Sequence, residues 1–377
     1  MTKYITEKEI PGAQVAVGKN GKILFSKGFG FGDRDKQIAV SPKSLFRIAS
    51  ISKPVTAAAV LSYVEQGNLT LETKMLEAVK IEPFLGGGKM LDERVKQITI
   101  RHLLNHTSGW DRDAKGVGDQ MFMNREAAKE LELPAPLGPR DIIRWALGRE
   151  LQFDPGARYA YSNLGYCILG RILENLSGQS YEKVIRERVF KPVGITAPLL
   201  GASLTTADGE VRYYMAKSDR EQMGESIFPQ TPKKVPIPYG VWSQESLDSH
   251  GGWISSAEDI VRFGMSLPDI GGTSPFKKKE TWDLVTEVPP GAPGHKEDGT
   301  VKDSYYAAGF QVRKAREGSR ITHSGELPGT TTYLFRRADG YAYAVFFNQR
   351  IREGKVDAKD RLENQIHALL DEAPEWA

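Results

Sequence analysis

A chain of 377 residues, 40% hydrophobic and 26% charged, has ordinary globular composition. It has room for two or three average domains, or for one large α/β body with an insertion. A net charge of +3 makes no electrostatic case for a nucleic-acid partner, and no uncharged apolar stretch approaches the roughly 20 residues of a membrane span.

Residues 1–9 carry no hydrophobic signal-peptide core; an exported protein without its leader and a cytoplasmic protein both fit. Residues 13–18 and 22–27 alternate apolar and polar across Asn20-Gly21, the strongest short-range hairpin signal. Gly28, Gly30 and Gly32 follow without opening a helix, so a nucleotide loop fails there. Next, Phe46-Arg47-Ile48-Ala49-Ser50-Ile51-Ser52-Lys53-Pro54 leads into Ala-rich apolar sequence up to Gly67. Proline is tolerated in the first turn of a helix. That sets Ser50 at or just before the helix start, with Lys53 about one turn later on the same face.

Helices are expected over residues 99–105, 139–149, 162–176 and 180–189, separated by Gly- and Pro-rich loops. Gly86-Gly87-Gly88 lacks the Lys-Ser/Thr continuation of a phosphate loop. His102 and His106 stand four apart, a metal-compatible spacing, but no third ligand is evident, and a helix end and turn is the simpler reading. The single cysteine, Cys167, excludes an internal disulfide and reads as a buried, inert thiol. Residues 207–250 show little periodicity. Tyr213, Tyr214, Tyr239 and Trp242 there either wall a pocket or lie loose on the surface. Ser255-x-x-Glu258 reads as a capping box for a helix to about Leu267. Strands are expected over 308–312, 320–323, 331–336 and 341–348, and a closing helix over 356–370. The basic runs Lys233-Lys234 and Lys277-Lys278-Lys279 read as solvated loops.

The first hairpin and the late strands can share one antiparallel sheet, giving an α/β (α+β) protein. Residues 1–75 and 245–377 would form the discontinuous sheet domain flanked by helices. Residues 76–244 would be a mostly helical inserted region, with the active site between the two.

Three short motifs carry chemistry. A serine hydroxyl needs a neighbouring base to become a nucleophile, and Lys53 pushed toward neutrality supplies one beside Ser50. The helix N-terminus adds N–H donors and positive potential where an oxyanion forms. Tyr161-Ser162-Asn163 opens an apolar helix. A phenol near cations can ionise below its reference pKa of about 10 and act as a base, and the Asn163 amide can hold an acyl group or simply cap the helix. His323-Ser324-Gly325 ends a strand-like run, where glycine marks the close approach of another backbone or a ligand.

In this order the motifs resemble the serine β-lactamase, D-alanyl-D-alanine carboxypeptidase and family VIII carboxylesterase superfamily, nearest its class C side, over nearly the whole chain. Ile10-Pro-Gly-Ala, Leu103-Leu-Asn-His-Thr-Ser-Gly109 and Gly251-Gly-Trp-Ile-Ser-Ser-Ala-Glu-Asp-Ile260 are similar to that family as well. The resemblance implies a β-lactamase/transpeptidase-like fold and acyl transfer through an acyl-enzyme, with no metal or cofactor. Ser50 would be the nucleophile, Lys53 and Tyr161 its activators, and the backbone N–H groups of Ser50 and Glu326 the oxyanion hole. Asn163, His323, Ser324 and Gly325 would bind a small-molecule ester, amide or lactam, with His323 and Ser324 toward the leaving group and able to hold a substrate carboxylate. His323 stands where many lactamases have lysine, and a neutral imidazole attracts a carboxylate less than a permanent cation. Glu326 stands where a small residue is expected; facing the cleft it repels anions, and facing away it does not. Esterase-type activity is favoured on this basis, with a D-amino peptide carboxypeptidase, penicillin-binding protein or β-lactamase as alternatives. A non-catalytic sensor of the same fold would usually have lost one of Ser50, Lys53 and Tyr161.

Overall fold

A computed structural model describes residues 1–372 except 89, 220, 271, 317 and 352–360. Its strands in chain order are β1 (Gly12–Lys19), β2 (Lys22–Asp33), β3 (Ile38–Ala39), β4 (Phe46–Arg47), β5 (Leu199–Leu200), β6 (Met223–Glu225) and β7 (Lys234–Pro236). They continue as β8 (Trp253–Ser255), β9 (Ser304–Ala307), β10 (Phe310–Lys314), β11 (Ser319–Leu327), β12 (Thr330–Arg336) and β13 (Tyr341–Phe347). Eight of these make one antiparallel sheet in the order β3-β2-β1-β13-β12-β11-β10-β9.

The sheet begins where Asn20 and Gly21 both take positive φ, +50° and +77°, as a two-residue hairpin turn requires. β1 then pairs on its other side with β13, Ala13 opposite Phe347, so early and late parts of the chain are stitched together. Every residue of β13 is buried, which replaces the alternation of a one-sided strand by a continuous apolar run. The helix Ala257–Ser266 packs on one face. On the other, Ile5 of Thr2–Glu7 and Leu362 of Leu362–Asp371 pack with Val15, Tyr343 and Phe347.

The helix Ser52–Glu65 is buried from Ser52 through Tyr63; a helix apolar on all sides belongs in the interior. The helix Asn163–Ser177 is capped by Ser162, whose Oγ accepts from the Gly165 N–H at 3.2 Å, and is closed by Gly178 at φ +67°. Among the described residues no helix is long and apolar enough to cross a membrane.

Several expectations change. Ser255 closes β8, and the cap of the following helix is Ser256, which accepts from the Asp259 N–H at 3.1 Å. β11 runs on through Leu327 rather than ending at His323. Residues 180–189 divide into an α-helix, Tyr181–Ile185, and a π-turn, Arg186–Phe190. Part of the expected closing helix, from Val356 to residue 360, lies outside the described residues; the described helix is Leu362–Asp371.

The aromatic residues of 207–250 wall no part of the Ser50 cleft, and they are not loose either. They clamp Arg47. Its side chain is 1% exposed, with the guanidinium carbon 4.5 Å from the Tyr213 ring centroid and 5.5 Å from that of Tyr239. Its nitrogens donate to the carbonyls of Pro238 at 2.7 Å and Ala202 at 2.9 Å, and its backbone N–H donates to the Tyr213 hydroxyl. Trp242 is buried, donating to Gln244, and the Tyr214 hydroxyl accepts from the Arg34 N–H.

Candidate active site

Ser50 sits in a single 3₁₀ turn, Ala49–Ile51, between β4 and the buried helix. Ala49 takes φ +47°, a conformation that costs a non-glycine residue about 1 kcal/mol or more. The fold holds it there because β8 clamps both sides of the turn: Ile48 N–H donates to the Trp253 carbonyl at 2.9 Å, and Trp253 N–H donates to Ser52 Oγ at 3.3 Å. Gly325 of β11 lies against the same turn, where a Cβ would collide with the Ile48 carbonyl oxygen and Thr332 Oγ1. The sequence expectation of a close backbone approach at this glycine therefore has its cause. It draws the strand carrying Ser324 and Glu326 up to the serine.

One turn into the helix, Lys53 is fully buried. Its Nζ lies 3.2 Å from Ser50 Oγ, 2.7 Å from Asn163 Oδ1 and 2.9 Å from the His250 carbonyl oxygen. The last two atoms can only accept, so two N–H bonds are spoken for. Burial and then the nearby Arg112 guanidinium hold the Lys53 pKa well below its usual value, with Asp119 pulling the other way. In the neutral amine the remaining lone pair faces the Ser50 hydroxyl.

Tyr161 closes the set. It lines the same cleft as Ser50, whose side chain acts on its phenol, and Lys53 Nζ and the Arg112 guanidinium carbon each lie 4.7 Å from its ring centroid. The sequence left open whether this phenol ionises. Burial raises the Tyr161 pKa and outweighs the lowering by Ser50 and Arg112, so the resting phenol keeps its proton.

Two residues of this network have no motif. Asp119 accepts from Asn163 Nδ2 at 2.6 Å and from Arg112 at 3.1 Å. A carboxylate only accepts, so this contact turns the Asn163 amide with its oxygen toward Lys53. Arg112 and Asp119 lie in loop and turn between helices, where no periodicity marks them. His250, in the short helix Asp248–Gly251, contributes through its backbone carbonyl, which side-chain chemistry cannot announce.

The third motif departs from its expected role. His323 is buried; its Nδ1 lies 2.7 Å from the Ser324 carbonyl oxygen and its Nε2 3.0 Å from the Tyr306 hydroxyl. The carbonyl can only accept, so Nδ1 carries the proton and Nε2 takes one from Tyr306. Burial, then Lys53, push its pKa down to about 3, against the Ser324 contact. The ring lines the cleft but is neutral and has no N–H left for a carboxylate. Ser324 is exposed beside it and remains the donor. Glu326 does face the cleft, ion-paired with Arg350, which lines it too.

These side chains border a cleft of about 340 Å³, lined by Ser50, Tyr161, Asn163, His323, Ser324 and Glu326 among others. His102 and His106 share no ligand-binding face: Nδ1 of His102 accepts from the Thr99 N–H that begins its helix, whereas buried His106 lies past the helix end at φ +56° and accepts from the Ser162 N–H. Among the described residues no group of three His, Cys, Asp or Glu could hold a metal ion. Cys167 is fully buried, and burial raises its pKa, so the thiol is inert.

The chain is similar to Protein flp of Staphylococcus aureus (strain COL), 29% identical over 263 residues, which are 69% of this chain and 46% of that protein. The chain thus spans about half the length of the first curated relatives it matches. It is similar to Penicillin-binding protein 4* of Bacillus subtilis (strain 168), 26% identical over 357 residues, covering 91% of this chain and 69% of that one. Among solved structures, the D-amino acid amidase from Ochrobactrum anthropi SV3 complexed with D-phenylalanine overlays with a TM-score of 0.73 at 20% identity, over 99% of this chain and 97% of the other. The profile of the Beta-lactamase family runs along residues 1–368, and this chain belongs to that family.

Proposed function

We propose that the protein is a serine hydrolase that cleaves neutral ester or amide bonds through an acyl-enzyme on Ser50. The observation that carries this reading is the hydrogen-bond pattern of Lys53, two N–H groups occupied by fixed acceptors and the third direction given to Ser50. Lys53 takes the Ser50 proton as Oγ bonds to the acyl carbon. The N–H groups of Ser50 and Glu326 receive the oxyanion, a role in which one donor is worth about 100–1,000-fold in rate. The acyl–leaving-group bond then breaks, Tyr161 gives its proton to the leaving atom, and the Lys53 ammonium restores the phenol. Water attacks the acyl-enzyme along the reverse path and returns the proton to Ser50. Asn163 positions Lys53 and has a second Nδ2 hydrogen for the acyl group. This reading keeps the site between a discontinuous sheet domain, residues 1–75 and 245–377, and a mostly helical and loop region, residues 76–244.

The preference for neutral substrates rests on charge. His323 is neutral with both nitrogens engaged, and the two arginines on the cleft are each opposed by a carboxylate, Arg112 by Asp119 and Arg350 by Glu326. A penicillin-type carboxylate gains little from such pairs. Comparing kcat/KM for p-nitrophenyl butyrate, a D-amino acid amide and nitrocefin on wild type and Ser50→Ala tests the reading. Faster cleavage of nitrocefin overturns the preference. Failure of a fluorophosphonate probe to label wild type, with no turnover of any substrate, favours the non-catalytic alternative.

A further inference from the structure

A second cavity, of about 330 Å³, opens off the catalytic cleft and shares Tyr161, His323 and Ser324 with it. Beyond those residues it is walled by four aromatic rings, with Gln311, Thr322 and Glu363 beside them. Tyr159 and Tyr306 form one side, with ring centroids 5.8 Å apart. Tyr333 and Phe335 form the sheet side, 6.1 Å apart with planes inclined by 21°. The strand register makes this continuous with the site, since Ser324 lies opposite Tyr333 and Thr322 opposite Phe335 across β11 and β12. Directly opposed residues share a face, so the sheet surface at Ser324 runs straight on to these rings. Tyr159, on the far lip, is 41% exposed, a large aromatic surface left in water beside a groove.

We propose that this groove is a leaving-group subsite for an aromatic or long apolar alcohol or amine. The inference rests on the acyl-transfer reading above and deepens it. In that reading Tyr161 hands its proton to the departing atom, and Tyr161 is a residue the two cavities have in common. With the acyl carbon bonded to Ser50 Oγ, the bond that breaks points at the phenol, and whatever hangs from the departing atom continues past Tyr161 toward Tyr159 and Tyr333. Planar rings with little rotameric freedom are suited to stacking on such a group. The acyl portion stays in the Ser50 cleft and does not meet these residues.

The test uses two ester series. One keeps the butyryl group and varies the alcohol from ethanol to 2-phenylethanol to 2-(2-naphthyl)ethanol, alkanols of similar basicity, so that intrinsic reactivity changes little. The other keeps ethanol and varies the acid from butyric to 3-phenylpropanoic. The readout is the ratio of kcat/KM between aromatic and ethyl members, taken within each variant so that partial misfolding cancels. The ratio in the alcohol series is about tenfold to a hundredfold for wild type. It falls below about threefold in Tyr333→Thr or Tyr159→Ser, while the ratio in the acid series does not move. A flat alcohol series on an active enzyme overturns the subsite alone, as does an alcohol ratio that survives both substitutions or an acid ratio that falls with it. Absence of turnover of every ester and amide overturns the acyl-transfer reading and the subsite with it.

Discussion

At Lys53, two candidates for the base part company. Burial pushes the amine toward its uncharged form and the phenol of Tyr161 toward its protonated form, which in the proposed mechanism favours the lysine as proton acceptor and the tyrosine as donor. The motif letters could not separate them, because both shifts come from desolvation that only the packed interior supplies. The same network makes Asp119 a positioning residue, acting through Asn163. Losing a buried hydrogen bond to a charged group costs about 1.5–3 kcal/mol, roughly tenfold to a hundredfold if it falls on the barrier. Asp119→Ala is expected to lower kcat by that factor. Because Asp119 raises the Lys53 pKa, the substitution also moves the acid limb of the kcat–pH profile to lower pH. A profile that does not move would mean that the carboxylate has no bearing on the lysine.

At the scale of the element, β11 does most to build the site. It pairs with β12 from Ile321 to Leu327, whereas its pairing with β10 is confined to Ser319 through Thr322. The overhanging part, from His323 to Leu327, is what meets the serine turn. Gly325 is the point of contact, and a methyl group there forces the strand off the Ile48–Ala49 backbone. Gly325→Ala is expected to lose about 100-fold or more in kcat/KM by displacing the Glu326 N–H, and about 1–3 kcal/mol of stability by overpacking. Steady-state kinetics and urea denaturation of the same preparation check both. The strand's lead-in and its glycine were legible in the sequence, as were the Asn20-Gly21 hairpin and the helix after Tyr161, because periodicity and turn chemistry are local. The extension of β11 past His323 was not, because tertiary contact with the serine turn sustains it. Nor was the Arg47 clamp, since a buried cation stacked between tyrosines reads in sequence as any other arginine among surface aromatics.

Over the whole molecule, acid should act mainly through buried imidazoles. His106, His250 and His323 are all held below the usual 6.5 by burial, His323 at about 3. The unfolded chain therefore binds more protons than the folded one below about pH 6.5, and stability falls as pH falls, for His323 down to about pH 3. The slope is at most roughly 1.4 kcal/mol per pH unit for each group. Urea midpoints at pH 7 and pH 5 should differ accordingly, and His323→Gln should flatten the dependence; an unchanged slope would mean that this imidazole is protonated in the folded protein. The pairing of β1 with β13 bears on the order in which the site is assembled. On the proposed mechanism the alcohol and the amine are synthesised early, whereas the strand bearing the Glu326 N–H arrives late and is tied through β12 and β13 to β1. On that mechanism a chain cut before β11 keeps Ser50 and Lys53 but lacks the Glu326 N–H, and covalent labelling of Ser50 then reports whether the late strands have docked.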